Sequence, residues 1–475
     1  MNINLLNKSG PCRWTLKKNG SMNVDAVFFG DVNIILQLDE TTVRQVRDVA
    51  SLPGVAGPVC VMPDAHSGYG FPIGGVAAFD VDHGVISAGG VGFDISCGVR
   101  TLTTGLKRQD LFSCDVKLAD ALFKKIPAGT GVGGAIHLDG NLMDEMLSGG
   151  AAWVVGRKMG RPEDLGRIEG NGRNEFAAPS KVSAKAKQRM INQLGSLGSG
   201  NHYLEVQYVE KIFDNEKAAG FGVEVDDVVV SIHCGSRGLG HQIAKDYLPL
   251  MVDAAPGFGI NLPSKDIACA PINSQLGKDY WGAMGAGINC ALANRQVLTH
   301  LVRECFAEIL PQADLKLIYD VSHNTCQKEK FNINGRTKTL YIHRKGATRA
   351  LGPGHKELPD EFKKIGQPVI IGGSMGTSSY ILAGTDESAD LSFSSCCHGA
   401  GRTMSRIKAR KCFKGKKVQK ELGRQGIIIR SGSINGIAEE APSAYKDING
   451  IIKSTEQAEI SKAVARLRPL LCIKG

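Results

Sequence analysis

The sequence predicts an α/β or α+β fold: one large domain over residues 1–475, with mixed β-sheets, flanking helices and a helical insertion around residues 140–190. Three observations predict it. Short β-branched runs, glycine loops and helical stretches interleave along the whole chain, with no internal repeat, low-complexity tract or linker to divide it. Hydrophobic residues make up 42% and charged residues 22%, the balance of a globular soluble protein. Glycine is abundant, at 59 residues, and aromatics are only 6%, which suits an enzyme with many tight turns and close approaches of backbone to ligand. No run of about 18 apolar residues occurs, so no membrane span is expected. The first twenty residues are polar and mixed, without the apolar core of a secretory signal.

In chain order, residues 21–53 read as strand, turn and helix. Asp39, Glu40, Thr41 and Thr42 open the helix, Val43, Val46 and Val49 share one face, and it ends near Pro53. Residues 57–63 and 74–80 are short apolar strands, and the glycine-rich stretch 89–100 feeds a third. Residues 115–126 and 141–150 read as helices, 160–164 as a turn and 181–189 as a basic helix. A second glycine-rich loop, 195–202, leads into a strand over 203–208, and 226–233 is a β-branched strand. The longest helical stretch is 274–309, with a break expected at the glycines near 285–287. Strands follow over 315–321, 338–343, 368–371 and 425–429, and a final amphipathic helix over 455–467.

The formal net charge is +10. Residues 402–424 alone hold ten Lys or Arg and one acid, Glu421. Charge concentrated in one segment favours a polyanionic partner, although a solvated basic face would look the same by charge alone. Thirteen cysteines, an odd number without a framework, point to reduced thiols in a cytoplasm. Cys396 and Cys397 are adjacent and form no CxxC redox pair.

One pattern recurs: a strand ends, and the next residues include His, Asp or Cys with Gly or Ser beside them. It occurs at Asp64 and His66, Asp94 and Cys97, His202, His233, His323 and His398. Strand termini converge on the rim of a sheet, so these side chains can meet. A carboxylate, a thiolate and three imidazoles could hold one metal ion or two, with the thiolate bridging. Ligand softness points to Zn²⁺, and carboxylate with substrate phosphate oxygens to Mn²⁺, so the identity stays open here. His83, His137, His241, His300, His343 and His355 are read as structural. No GxxxxGK[ST] loop is present, and neither 89–92 nor 352–354 fits a dinucleotide fingerprint. Metal ligands, glycine loops and the basic segment together favour phosphoryl or nucleotidyl transfer on a nucleic acid. A metal-dependent phosphohydrolase that opens cyclic phosphates, and a non-catalytic RNA-binding module built on 402–424, are the competing readings.

Five ordered motifs carry a resemblance: residues 62–75 (MPDAHSGYGFPIGG), 92–98 (GFDISCG), 198–202 (GSGNH), 233–238 (HCGSRG) and 397–402 (CHGAGR). Together they resemble the RtcB-type RNA ligases, from about residue 20 to Gly475. Ala65 stands where the family commonly has Val. The resemblance implies an RtcB-like fold and a GTP- and Mn²⁺-dependent ligase that joins RNA 3′-phosphate or 2′,3′-cyclic phosphate ends to 5′-hydroxyl ends, in tRNA splicing or RNA repair. By that likeness His398 is the nucleophile and carries GMP. One Mn²⁺ takes Asp94, Cys97 and His202, and a second takes Cys97, His233 and His323. GMP contacts fall to Asn201, Tyr203, Glu205, Ser374, Ser379, Ala400, Gly401, Arg402, Tyr445 and Lys474. Asp64 supports the metal site, and Arg189, Arg237, Arg402 and Arg406 hold RNA or triphosphate oxygens. The implied partners are RNA and GTP, with an archease-type activator left open and no membrane.

Overall fold

Two large β-sheets organise the structure, a computed structural model that describes residues 3–333 and 335–475. The first sheet has seven strands in the order Asn7–Gly10, Arg13–Leu16, Ala26–Phe29, Val59–His66, Ile73–Asp80, Arg336–Lys345 and Asn324–Ile333. The second runs Lys316–Ser322, Gly98–Lys107, Asp227–Cys234, Tyr203–Ile212, Lys462–Lys474, Ser379–Ala383 and Pro368–Ile371. Ile428–Ser431 lies parallel to Lys462–Lys474 as its eighth strand. Each sheet contains one parallel pair among antiparallel ones, so both are mixed, as the interleaved sequence predicts. The central strands of the second sheet are apolar without alternation because both faces are covered: Asp227–Cys234 is buried from Val228 onward.

Among the flanking helices, Gln275–Ile309 runs unbroken for 35 residues. Ser274 caps it, its side chain accepting from the Gly277 N–H. The expected break at residues 285–287 does not occur. The missing side chains serve packing instead. A Cβ on Gly285 would stand 2.9 Å from Cα of Ala177, and one on Gly287 would stand 3.1 Å from Ile95. Residues 140–190 carry the helices Gly140–Gly156, Pro162–Leu165 and Ala184–Gln188, the first packed along the long helix.

The expectation of a final helix over 455–467 is also overturned. Helix Ile448–Gln457 ends there, Glu459 turns the chain with φ 63°, and Lys462–Lys474 is a strand. The run Ala463-Val464-Ala465-Arg466-Leu467 suits either period. What decides it is a place between Tyr203–Ile212 and Ser379–Ala383, where both ladders are filled. Pro469, which lacks an N–H, falls beside a register shift. This strand carries Lys474 to the same rim as Tyr203, its pairing partner. Among the described residues no helix is long and apolar enough to cross a membrane.

Candidate active site

The rim of the second sheet gathers beginnings and ends of strands, because its central strands are antiparallel. Cys97 precedes Gly98–Lys107 and His202 precedes Tyr203–Ile212, while His233 sits near the end of Asp227–Cys234 and His323 follows Lys316–Ser322. The register sets Tyr203 opposite His233, and Gly98 opposite both Cys234 and Ser322. Residues more than 200 positions apart therefore meet (Asn324 donates to the Asp94 carbonyl).

Their ligand atoms converge. Cys97 Sγ lies 3.3 Å from Nε2 of His202 and 3.3 Å from Nε2 of His233. Nε2 of His233 and of His323 are 3.2 Å apart, and Nε2 of His202 is 2.8 Å from Asp94 Oδ2. Two groups result, Cys97 with His233 and His323, and Asp94 with Cys97 and His202; within each, all ligand atoms lie within 4.8 Å. Cys97 belongs to both. Nδ1 of His202 lies 3.1 Å from the Leu197 carbonyl, which accepts a hydrogen bond from it, so Nε2 is the ring nitrogen turned inward. Asp94 Oδ1 and His323 Nδ1 are buried without a hydrogen-bond partner. An orphaned carboxylate oxygen beside convergent lone pairs is what a cation would satisfy, and the S, N and O donor set fits Zn²⁺ or Mn²⁺.

The electrostatics suit ligands. Burial, reinforced by neighbouring imidazoles, holds His233 and His323 well below the usual range, so both are neutral. Burial acts to raise the Asp94 carboxyl, but His202, Cys97 and Arg237 together outweigh it and hold it at about 2. Burial and the Asp94 charge push the Cys97 thiol far up. A cation would reverse that last shift, since a coordinating thiol gives up its proton.

Behind the rim the long helix supplies Arg295, fully buried. Its Nη1 donates to the carbonyls of Ser96 (2.7 Å) and Cys234 (2.9 Å), and its Nη2 to Ser322 Oγ (3.2 Å). Each of these neighbours a ligand: Cys97, His233 and His323. Asp320 is paired with both Arg295 and Arg100, which keeps the buried guanidiniums compensated.

His398 comes from the two-stranded ladder formed by Ser395–Cys397 and Ala347–Arg349. Its ring centroid is 4.7 Å from that of His323. Asp64, on strand Val59–His66 of the first sheet, is fully buried beneath it. Oδ2 accepts from the backbone N–H of His398 (3.1 Å) and Gly399 (3.2 Å) and lies 2.7 Å from Nδ1. Gly401 needs its φ of 71° and its bare Cα: a Cβ would stand 2.1 Å from the Asp64 carbonyl. No described residue hydrogen-bonds Nε2, and His398 faces a cleft.

That cleft has about 730 Å³ of atom-free space, part of it open to solvent. Of the residues expected at GMP, Asn201, Tyr203, Ser374, Ala400, Gly401, Arg402, Tyr445 and Lys474 line it, as does Arg406. Glu205 and Ser379 stand one layer behind, joined through Gln207 Nε2 at 2.9 and 3.0 Å. Burial lifts the Glu205 carboxyl to about 7 against the pull of Lys474. Arg237 lies beside the metal-capable group, donating to Ser196 Oγ with its Nη1 3.5 Å from His202 Nδ1, and does not line the cleft. Arg189 also lies off the cleft, bonded to Gln242 at 3.0 Å. None of the six histidines read as structural lines the cleft or joins a metal-capable group among the described residues.

Of the titratable residues that line the cleft, two have no role in the sequence reading, His66 and Glu440. His66 was noted as a strand-terminal histidine without a role; burial pulls its ring down to about 4. Glu440, 1% exposed, receives Arg402 (3.2 Å), Arg406 (3.3 Å) and the Tyr445 hydroxyl. No motif marks Glu440 in the sequence; its three partners come from residues 402, 406 and 445.

Comparison with known proteins agrees with this geometry. Residues 45–475 match the family model described as tRNA-splicing ligase RtcB. The chain is 46% identical to the tRNA-splicing ligase RtcB of Archaeoglobus fulgidus, over 99% of this chain and 99% of that one. It is 47% identical to the protein of the same name from Methanococcus maripaludis, over 96% and 95%. To the RNA-splicing ligase RtcB of Mycobacterium bovis it is 48% identical, over 91% of this chain and all of the relative. With the family model spanning most of its length and relatives matched nearly end to end, this chain belongs to the RtcB family.

Proposed function

We propose that this protein is a GTP- and Mn²⁺-dependent RNA ligase that joins 3′-phosphate or 2′,3′-cyclic phosphate ends to 5′-hydroxyl ends, in tRNA splicing or RNA repair. The observation that carries the reading is His398: Nδ1 sits on a buried carboxylate, Nε2 faces an arginine-lined cleft, and the metal-capable cluster stands beside it. The names of the relatives, with their tRNA-splicing and RNA-splicing ligases, support the substrate class.

The Asp64 carboxylate, 2.7 Å from Nδ1, favours the tautomer with its proton on Nδ1, which leaves the Nε2 lone pair to attack. Nε2 bonds to the α-phosphorus of GTP, the P–O bond to the β-phosphate breaks, and pyrophosphate leaves. An oxygen of the RNA 3′-phosphate then attacks the GMP phosphorus and Nε2 departs with its electron pair. Finally the 5′-hydroxyl oxygen attacks the RNA phosphorus, loses its proton, and GMP leaves. A cyclic phosphate is opened by water first. Arg402, Arg406 and Lys474 bring positive charge to the phosphates. When bound, two divalent cations held by Asp94, Cys97 and His202 and by Cys97, His233 and His323 supply further charge neutralisation and acidify an attacking hydroxyl. Glu205, behind the cleft beside Lys474, suits an N–H-bearing purine edge. The chain acts as one catalytic domain with residues 140–190 inserted, and its thirteen unpaired thiols suit a reducing cytoplasm.

Incubation with α-labelled GTP and Mn²⁺, followed by mass analysis of the protein, tests this. A GMP increment on His398 that vanishes in His398→Ala is expected. An increment that survives in His398→Ala overturns the nucleophile, and cyclic-phosphate opening with no increment at all favours a phosphohydrolase. Adding an archease-type activator to the joining assay tests that partner.

A further inference from the structure

Residues 405–424 fold into two short helices, Arg406–Cys412 and Gly415–Arg424, each packed on the helix Ile434–Glu439 that leads to Glu440. Their buried side is small and apolar: Ala409, Val418 and Leu422. Every Lys and Arg from Arg406 to Arg424 is exposed. Three of these nine find a carboxylate: Arg406 with Glu440, Arg410 with Glu439, and Lys417 with Glu421 at 3.8 Å. Lys408, Lys411, Lys414, Lys416, Lys420 and Arg424 have no carboxylate within 4.0 Å among the described residues. Unpaired lysines occur elsewhere on the described surface, Lys8, Lys18, Lys328 and Lys330 among them, but here six unpaired cations fall within seventeen residues of chain.

Six unneutralised cations on two adjoining helices repel one another, and a fold gains nothing from collecting them there. The row starts at the cleft, since Arg406 both opens the first helix and lines the His398 pocket. Along the second helix, between it and residues 441–443, lies an open groove with Phe413, Val418 and Pro442 in its lining and Lys414 and Lys417 beside them; Glu421 is its one acid. A cationic track with an apolar, aromatic-bearing groove matches single-stranded nucleic acid, whose phosphates follow charge and whose bases seek a flat apolar surface.

We propose that the helices Arg406–Cys412 and Gly415–Arg424 form an RNA-backbone track that carries one single strand into the His398 cleft. This deepens the ligase reading and rests on it for the identity of the polyanion. The track reads no sequence: it supplies counterion-releasing phosphate contacts away from the reacting atoms.

The test neutralises Lys408, Lys411, Lys414 and Lys420 to Gln in the full chain. All four are exposed and unpaired, and Gln keeps nearly the same helix propensity. A matched control places Gln at Lys8, Lys18, Lys328 and Lys330, exposed positions in or beside the first sheet. The readout is the affinity of a labelled single-stranded RNA ending in 3′-phosphate, measured across a salt series, alongside GMP labelling without RNA. Each lost contact removes about 0.7 from the slope of log K against log salt for a single strand, so two to four contacts flatten it by about 1.4–2.8 and weaken binding roughly 25- to 600-fold at 0.1 M salt. The track variant should show this and still take GMP at the wild-type rate, while the control keeps its affinity within about threefold. An unchanged salt slope in the track variant overturns the track, and so does an equal loss in the control. Absence of GMP labelling in the wild-type protein overturns the ligase reading instead.

Discussion

Replacing Asp64 by Asn is the sharpest probe of the nucleophile, because the change is isosteric and removes only charge. One oxygen, Oδ2, receives two backbone N–H groups at 3.1 and 3.2 Å and faces Nδ1 at 2.7 Å. An Asn oxygen can still accept from both backbone groups, so the loop 398–401 keeps its course. Lost is the carboxylate charge beside Nδ1, which favours the Nδ1–H tautomer and stabilises positive charge on the ring as the P–N bond forms. Hydrogen bonds to charged groups contribute about 1.5–3 kcal/mol against about 1 for neutral ones, and a wrong tautomer at a catalytic imidazole costs up to about 10⁴ in rate. Asp64→Asn should therefore slow guanylylation by about 10²–10⁴, equivalent to about 2.7–5.4 kcal/mol of barrier. GTP affinity should change less than about threefold, since Asp64 lies beneath the cleft and does not line it. Single-turnover labelling with α-labelled GTP measures the rate, and equilibrium binding to Asp64→Asn in the His398→Ala background measures affinity. Labelling within about fivefold of wild type, in a protein of unchanged melting temperature, would refute the reasoning.

Other consequences follow from the same geometry. Cys97→Ala removes the one ligand shared by the two groups, so metal analysis should find both ions lost rather than one; retention of one equivalent would sink the shared thiolate. Arg295→Lys loses the fork that holds Ser96, Cys234 and Ser322, and should weaken metal affinity about 10- to 100-fold by disturbing the ligands' supports, read by metal titration. Glu205 has a folded pKa of about 7 against an ordinary 4.5. Its protonated form is the favoured one in the fold. This contribution to stability is full below about pH 4.5 and is lost as pH rises to about 7, by an upper bound of about 3 kcal/mol. Glu205→Gln should flatten the urea midpoint between pH 4.5 and 7, and an identical pH profile in the variant would contradict the shift.

The sequence was informative where chemistry and local structure coincide. Cys97, His202, His233 and His323 lie at the beginning or end of a strand and Asp94 three residues before Cys97 in the same turn, so residue type and approximate position were readable before any contact was known. Helix Glu40–Ala50 was equally readable, since Asp39 caps it and Val43, Val46 and Val49 are buried on one side. The glycines at 285–287 misled because glycine has two uses: it frees a backbone and it vacates space. Only the approach of Phe176, Ala177 and Ile95 shows that the second applies. The strand Lys462–Lys474 misled because its short apolar run is compatible with two periods, and its neighbours in the ladder come from residues 203–212 and 379–383.

Glu440 and the Arg295 fork show a different limit. Neither is marked by its neighbours in sequence, because each acquires meaning only from partners brought by other elements. Arg295 reads as one polar position on a long helix, yet from inside the core it reaches three backbone or hydroxyl oxygens that flank three ligands. A buried guanidinium is tolerable only with a compensating carboxylate, and Asp320 supplies it from the strand that ends at Ser322 and His323. The same strand therefore contributes both the counter-charge of the scaffold and a ligand of the site. Shifting it by one residue would turn Asp320 away from Arg295 and displace His323 together. The ion pair thereby couples the register of Lys316–Ser322 to the geometry of the metal-capable cluster, which gives a buried salt bridge of little net stability a reason to stand where it does.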